Sequence, residues 1–250
     1  MTVLALYSNK GGVGKTAAAV NLAYLAAQSG KRTLICDLDP QSSATFYFRV
    51  KPRLKASARG LSKGGKPIDK SIKGTDYDNL DLLPADFTHR NLDISFASRK
   101  DSLGRLSRVL DPLQDEYDLI VLDSPPTINV VAENIIAASD HLLVPLIPTT
   151  LSVRTHEQLM QFMDSRKRDT VDVTCFRSMV DRRKKMHREL SESIAEEIDG
   201  VLESIIPFAS VVERMGIRRE PVPVFAGRSK AAQAYRDLWA EIEEKLLGQA

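Results

Sequence analysis

Cysteine is scarce in this chain. Cys36 and Cys175 are its only two, too few for a disulfide framework, and they lack the C-x-x-C spacing of a zinc site. Both lie inside apolar runs, where a thiol reads as a small buried hydrophobe. Long apolar runs are missing too; none approaches the roughly 18–20 residues that a membrane-spanning helix needs. The opening MTVLALYSNKGG has no cationic lead and no small-residue cleavage site, so no secretory signal is expected. A reduced, cytoplasmic setting is the expectation. An excess of one charge sign is also lacking: 35 basic side chains face 33 acidic ones, a net charge of +2. That excludes a uniformly basic nucleic-acid binder but not local clusters. At 250 residues, 43% hydrophobic and 27% charged, the chain has the composition of a soluble globular protein with a substantial core.

What is present alternates. Runs over Val3–Ser8, Thr33–Asp37, Leu80–Pro84, Leu119–Asp123, His141–Ile147, Val171–Val180 and Val201–Pro207 read as strands. Helical periodicity fills Lys15–Ser29, Ser102–Leu110, Val130–Ala138, Arg154–Arg166, His187–Ile198 and Ser229–Leu247. Gly30 stands where a glycine would end the first helix. Strand and helix in turn predict an α/β fold, a mostly parallel twisted sheet with helices on both faces. No linker or repeat divides it, so residues 1–250 are expected to form one domain. Arg49–Lys73 breaks the rhythm with nine Lys or Arg against one acid, Asp69. It reads as a basic surface connection.

The strongest motif is Asn9-Lys10-Gly11-Gly12-Val13-Gly14-Lys15-Thr16, between a strand and a helix. Glycines let backbone N–H groups approach phosphate oxygens, and the helix N-terminus favours the anion. Lys15 is expected on the β- and γ-phosphates and the Thr16 hydroxyl on Mg²⁺. The strict phosphate-loop pattern fails only at its first position, Asn9. Asp37-Leu38-Asp39-Pro40-Gln41 ends the second strand. Leu119-Ile120-Val121-Leu122-Asp123 is another apolar strand ending in a carboxylate, followed by Ser124-Pro125-Pro126. Ligands of open α/β sheets bind at such carboxyl ends.

With KGGVGKT, DLDPQ and LIVLDSPP in this order, the chain resembles the ParA/MinD family of deviant Walker A ATPases, and more closely its ParA-type, cargo-positioning branch. The resemblance implies a P-loop NTPase fold, ATP and Mg²⁺, and ATP hydrolysis. It implies that Lys10 crosses an ATP-dependent sandwich homodimer to the partner's phosphates, and that Lys10, Lys15 and Asp39 are catalytic, Asp39 orienting the attacking water. Nucleotide contacts are expected from Lys10, Gly11, Gly12, Val13, Gly14, Lys15, Thr16 and Ala17, with Met179 and Pro207 near the base. Thr16, Asp37 and Asp123 would support Mg²⁺, largely through water, and Asp123–Thr127 would form a switch segment. Where the family usually has a second hydroxyl, this chain has Ala17. A lost hydrogen bond to a charged group costs about 1.5–3 kcal/mol.

Positive charge is concentrated later in the chain. Arg182, Arg183, Lys184, Lys185 and Arg188 lie within seven residues, and Arg218 and Arg219 begin a second cluster that includes Arg228 and Lys230. Charge alone allows a solvated basic face; the resemblance implies nonspecific binding of double-stranded DNA through phosphates. The Arg49–Lys73 stretch could add to that field or only keep a loop soluble. A cargo-bound adaptor protein is the expected stimulator of hydrolysis, and a nucleoid-associated location follows. The alternative is a MinD-like, membrane-associated regulator of division or flagellar placement. The C-terminal helix argues against it, because its polar face carries Asp237, Glu241, Glu243 and Glu244, which anionic lipid repels. Its apolar face, with Tyr235, Leu238, Trp239, Ile242, Leu246 and Leu247, is expected to pack on the sheet. A nitrogenase-iron-protein relative would need differently placed cysteines, and a tyrosine kinase a C-terminal tyrosine cluster.

Overall fold

A computed structural model describes residues 1–51, 68, 71–85, 103–165 and 171–248. Eight strands form one sheet: β1 (Thr2–Leu6), β2 (Thr33–Asp37), β3 (Lys73–Gly74), β4 (Leu80–Leu83), β5 (Leu119–Asp123), β6 (His141–Leu146), β7 (Asp172–Val180) and β8 (Val201–Pro207), in the order β3-β4-β2-β5-β1-β6-β7-β8. Every pairing is parallel except β3 with β4. Central strands TVLAL, TLICD and LIVLD are apolar almost throughout because helices cover both faces.

The main helices are α1 (Lys15–Gln28), α2 (Ser43–Tyr47), α3 (Arg105–Leu110), α4 (Val130–Ala137), α5 (Thr150–Ser165) and α6 (Lys185–Glu197). Three four-residue helices, α7 (Ser210–Glu213), α8 (Met215–Arg218) and α9 (Val222–Phe225), lead to α10 (Lys230–Ile242). One core cluster joins α1, α8, α9 and α10 to Leu4, Leu6, Ile35 and Val121. The other joins α3 to α6 with Val3, Ala5, Cys36 and Ile120. Successive residues of one strand thus feed opposite layers, as the pleat requires.

Local signals explain the boundaries that the sequence predicted well. Gly30, at φ 94, follows α1, and the Gly30 and Lys31 amides donate to the Ala27 and Ala26 carbonyls, a Schellman stop. Asn129 caps α4 by accepting from the amides of Val131 and Ala132, and Ser229 caps α10 by accepting from Ala232. Tyr235, Leu238, Trp239 and Ile242 of α10 are buried.

Several expectations shift. The strand β3 and the short helices α2 and α7 to α9 were not expected, since elements of two to five residues carry no periodicity. Helix α5 starts at Thr150 rather than Arg154, and α10 gives way to a π-turn over Glu243–Leu247. The stretch Arg49–Lys73, expected to be a basic surface connection, lies mostly outside the described residues. Ile68 is 5% exposed within the core and Ser71 is buried, while Lys73 enters β3. Apolar Ile68 is drawn inward by the hydrophobic effect despite its charged neighbours. Among the described residues no helix is long and apolar enough to cross a membrane.

Candidate active site

The carboxyl ends of β1, β2 and β5 converge on the turn from Asn9 to Gly14. Gly12 and Gly14 are left-handed, at φ 73 and 94. A Cβ on Gly14 would stand 3.0 Å from Ser178 Oγ. Ser178, near the end of β7, donates to the Val13 carbonyl at 2.9 Å, pinning the loop to a distant strand. The side chain of Lys15 turns back over the loop, its Nζ donating to the Lys10 carbonyl at 3.1 Å. Burial pushes the Lys15 ammonium down from its ordinary range, while Asp123 and Asp39 act to raise it. An ammonium held by one carbonyl in a desolvated loop is ready to exchange it for an anion.

Two carboxylates lie beneath the loop. Asp37 and Asp123 end adjacent strands and are direct partners in the β2–β5 register, both fully buried. Asp37 accepts three hydrogen bonds: the Thr45 amide and hydroxyl donate to Oδ2 at 2.8 and 2.6 Å, and the Asp39 amide donates to Oδ1 at 3.3 Å. Burial nevertheless pushes its carboxyl up to about 6, against the Thr45 hydrogen bonds. Asp123 is raised well above the usual carboxylate range, by burial first and the Asp37 charge second. The Thr16 hydroxyl donates to its Oδ1 at 3.1 Å, but its buried Oδ2 has no partner among the described residues.

That open oxygen tests whether a cation fits. Paired buried carboxylates cost stability until a positive charge joins them. The Thr16 hydroxyl and Asp123 Oδ2 are hard-oxygen donors of the kind Mg²⁺ takes. Both Asp37 oxygens already accept hydrogen bonds, so its contribution would be mainly charge and water-mediated contact. Among the described residues no three His, Cys, Asp or Glu side chains gather round a metal. That suits Mg²⁺, which keeps most of its shell as water and phosphate.

A cleft of about 350 Å³ opens beside the loop, lined by residues 11–17, Asp39, Ser43 and Tyr47, with Met179, Pro207 and Tyr235 among the residues of its other walls. The volume is within the range of small-molecule sites. Met179 and Pro207, expected near a base, therefore border the same cleft as the phosphate loop. Met179 has φ 54, an uncommon conformation for a non-glycine residue and one that clusters at functional sites. Asp39 is half-buried, its Oδ1 accepting from the Gln41 amide at 2.9 Å. Lys10 does not line the cleft, and no ion pair engages it among the described residues. Thr45, Tyr47, Ser178 and Tyr235 were missed from the sequence, because α2 is too short to show a pattern and the others approach only in three dimensions.

The two cationic clusters follow the ends of β7 and β8, on the same sheet edge as the cleft. Their members are not equally available. Arg183 is paired with Asp181, Nε to Oδ1 at 2.9 Å, and Lys185 with Glu189 at 3.3 Å. Arg188 donates to the Arg182 carbonyl at 2.7 Å. Arg219 donates from Nε to the Phe46 carbonyl at 2.9 Å and stacks 4.5 Å above the Phe46 ring. Arg182, Lys184 and Arg218 are exposed without an ion pair among the described residues.

A family model described as an AAA domain matches residues 1–173. A virulence plasmid ParA family protein of Chlamydia psittaci is 30% identical, over 98% of this chain and 96% of its own length. The chain belongs to the ParA/MinD family. The sporulation initiation inhibitor protein Soj of Bacillus subtilis is 27% identical, over 96% of this chain and 97% of its own. Among solved structures, cobyrinic acid a,c-diamide synthase of Mycobacterium smegmatis, with bound ATP analog and magnesium, superposes with a TM-score of 0.82. It is 25% identical, covering 98% of this chain and 96% of that one. The fold is that of the P-loop NTPases of this family.

Proposed function

We propose that this family member is an Mg²⁺-dependent ATPase that acts as a dimerising switch, binds DNA nonspecifically and positions a plasmid, chromosome or other cargo. The carrying observation is the open, buried Asp123 oxygen between Asp37 and the Thr16 hydroxyl, under a loop whose Lys15 is held by a single carbonyl. Magnesium, when bound, would neutralise charge on the β- and γ-phosphates. Loop amides and Lys15 hold the phosphates, and Asp39 takes a hydrogen bond from the attacking water. Lys10, which does not line its own chain's cleft, reaches a second copy and offsets charge developing in the transition state.

Other observations support the dimer and DNA steps. Large hydrophobics left exposed after the strand ends include Phe46, Ile128, Leu151, Met186, Phe208 and Ile217. All lie on the edge that a second copy or a partner would cover. Arg182, Lys184 and Arg218, exposed and without an ion pair among the described residues, support a phosphate-binding role for the two clusters. Burial of Tyr235, Leu238, Trp239 and Ile242 favours a packed α10 over a membrane-binding one, with Leu246 and Leu247 only partly covered. An adaptor protein on the cargo would stimulate hydrolysis, and the protein would sit on the nucleoid.

The test is sedimentation of the full chain with Mg²⁺ and ATP, with and without duplex DNA. The wild type should become dimeric and bind DNA, with affinity falling steeply as salt rises, and Lys15→Ala should do neither. Equal dimerisation and DNA binding by Lys15→Ala would refute the switch.

A further inference from the structure

Helix α2 brings an unassigned group to the cleft. Its first residue, Ser43, and its last, Tyr47, are four apart and so share one helix face; both line the cleft with residues 11–17. Of the other hydroxyls there, Thr16 is engaged with Asp123 and Ser178 with the Val13 carbonyl, and Tyr235 is fully buried in the core beneath. Ser43, one turn earlier on the same face, has the shorter reach of the two that remain. Tyr47 has no hydrogen-bond partner among the described residues, although it is half-buried. On the α1 wall, Ala17 presents no side-chain donor. A half-buried phenol without a partner gains most from a ligand that accepts its proton.

We propose that the Tyr47 hydroxyl is a nucleotide-binding group, donating a hydrogen bond to the phosphate chain across from Ala17. The proposal rests on the nucleotide reading of the cleft and deepens it. The phenol is in the right state to donate, since burial and then the Asp123 charge raise it above its ordinary range. Its position is held by the two residues that precede it. Phe46, the preceding residue, is clamped by Arg219, and Thr45, the one before that, is bound to Asp37. A change in the Asp37–Asp39 segment would therefore move this donor relative to the phosphates. Sequence inspection could not find it, because nothing in FYFRV distinguishes a ligand-facing tyrosine from a core aromatic.

The experiment is titration of Mg²⁺–ADP and Mg²⁺–ATP into the full chain and into Tyr47→Phe, Tyr47→Leu and the double variant Ala17→Ser/Tyr47→Phe. Tyr47→Phe should keep the nucleotide-free melting temperature and weaken both nucleotides about tenfold, the equivalent of a charged hydrogen bond. Tyr47→Leu should lose at least as much, and the hydroxyl that Ala17→Ser adds should recover part of the loss. Full affinity in Tyr47→Phe overturns the proposal; if Tyr47→Leu alone then weakens binding, the ring and not the hydroxyl is in contact. A wild type that binds neither nucleotide overturns the functional reading itself, a result distinct from normal binding by both wild type and Tyr47→Phe.

Discussion

The two edges of the sheet are built on opposite terms. At the amino ends of the strands, charge is satisfied. Asp118, just before β5, accepts from the Arg32 amide at 2.9 Å and pairs with the Arg32 guanidinium at 2.7 Å. Asp140, just before β6, accepts from the Val3 amide at 2.7 Å. Each aspartate ties its own strand to the start of a neighbour. At the carboxyl ends, Asp37 and Asp123 are buried against each other, one oxygen has no partner among the described residues, and Met179 is left-handed. Paired charge ties neighbouring strands together at one edge. The strain and uncompensated charge are at the other, where a phosphate ligand and a cation would relieve them.

Substitutions can break this contrast, beginning with the largest effect. Lys10→Ala should remove ATP-dependent dimerisation and lower ATP hydrolysis about 10²-fold or more, as loss of a transition-state cation does. The nucleotide-free melting temperature should barely move, because Lys10 makes no ion pair among the described residues. Sedimentation and steady-state phosphate release read the first effect, and calorimetry the second. A large fall in melting temperature would mean that Lys10 is structural.

Asp140→Ala should do the reverse. Leaving the Val3 amide without its acceptor should cost about 1–2 kcal/mol, seen in denaturant unfolding, while Mg²⁺–ADP affinity stays the same. Weakened nucleotide binding would show that the two edges are coupled.

The smallest effect concerns acid. The Arg32 side chain, and then its amide, hold the Asp118 carboxyl at about 2, below its ordinary 3.8. Its folded value is depressed, so its contribution is present above pH 3.8 and lost as pH falls towards 2. Because Arg32 and Asp118 are both exposed by about half, solvent screening keeps the gain small. The stability difference between wild type and Asp118→Asn should shrink across that window. A difference that stays constant would remove the ion pair from the account.

Much of the site was legible because its main parts are local. The phosphate loop needs eight consecutive residues, and the two aspartates end apolar runs that can only be buried strands. Sheet order and the second wall of the cleft were not legible. Ser178 meets Val13, and Arg219 meets Phe46, through crossovers that no periodicity records. The basic clusters were visible as charge, but their pairing was not: Asp181 occupies Arg183, and Phe46 occupies Arg219. Thr45, which donates to Asp37 from both amide and hydroxyl, lies in a helix of five residues with no hydrophobic stripe to announce it.

The central claim is that Asp123 costs the empty protein stability in order to serve a bound cation. Asp123→Asn, melted with and without Mg²⁺–ADP, tests it most directly. Relieving the buried charge should stabilise the nucleotide-free protein by about 1–2 kcal/mol and remove the Mg²⁺-dependent part of the ADP-induced rise in melting temperature. A variant that is destabilised when empty, as Asp140→Ala should be, and keeps the full Mg²⁺-dependent rise would contradict the account.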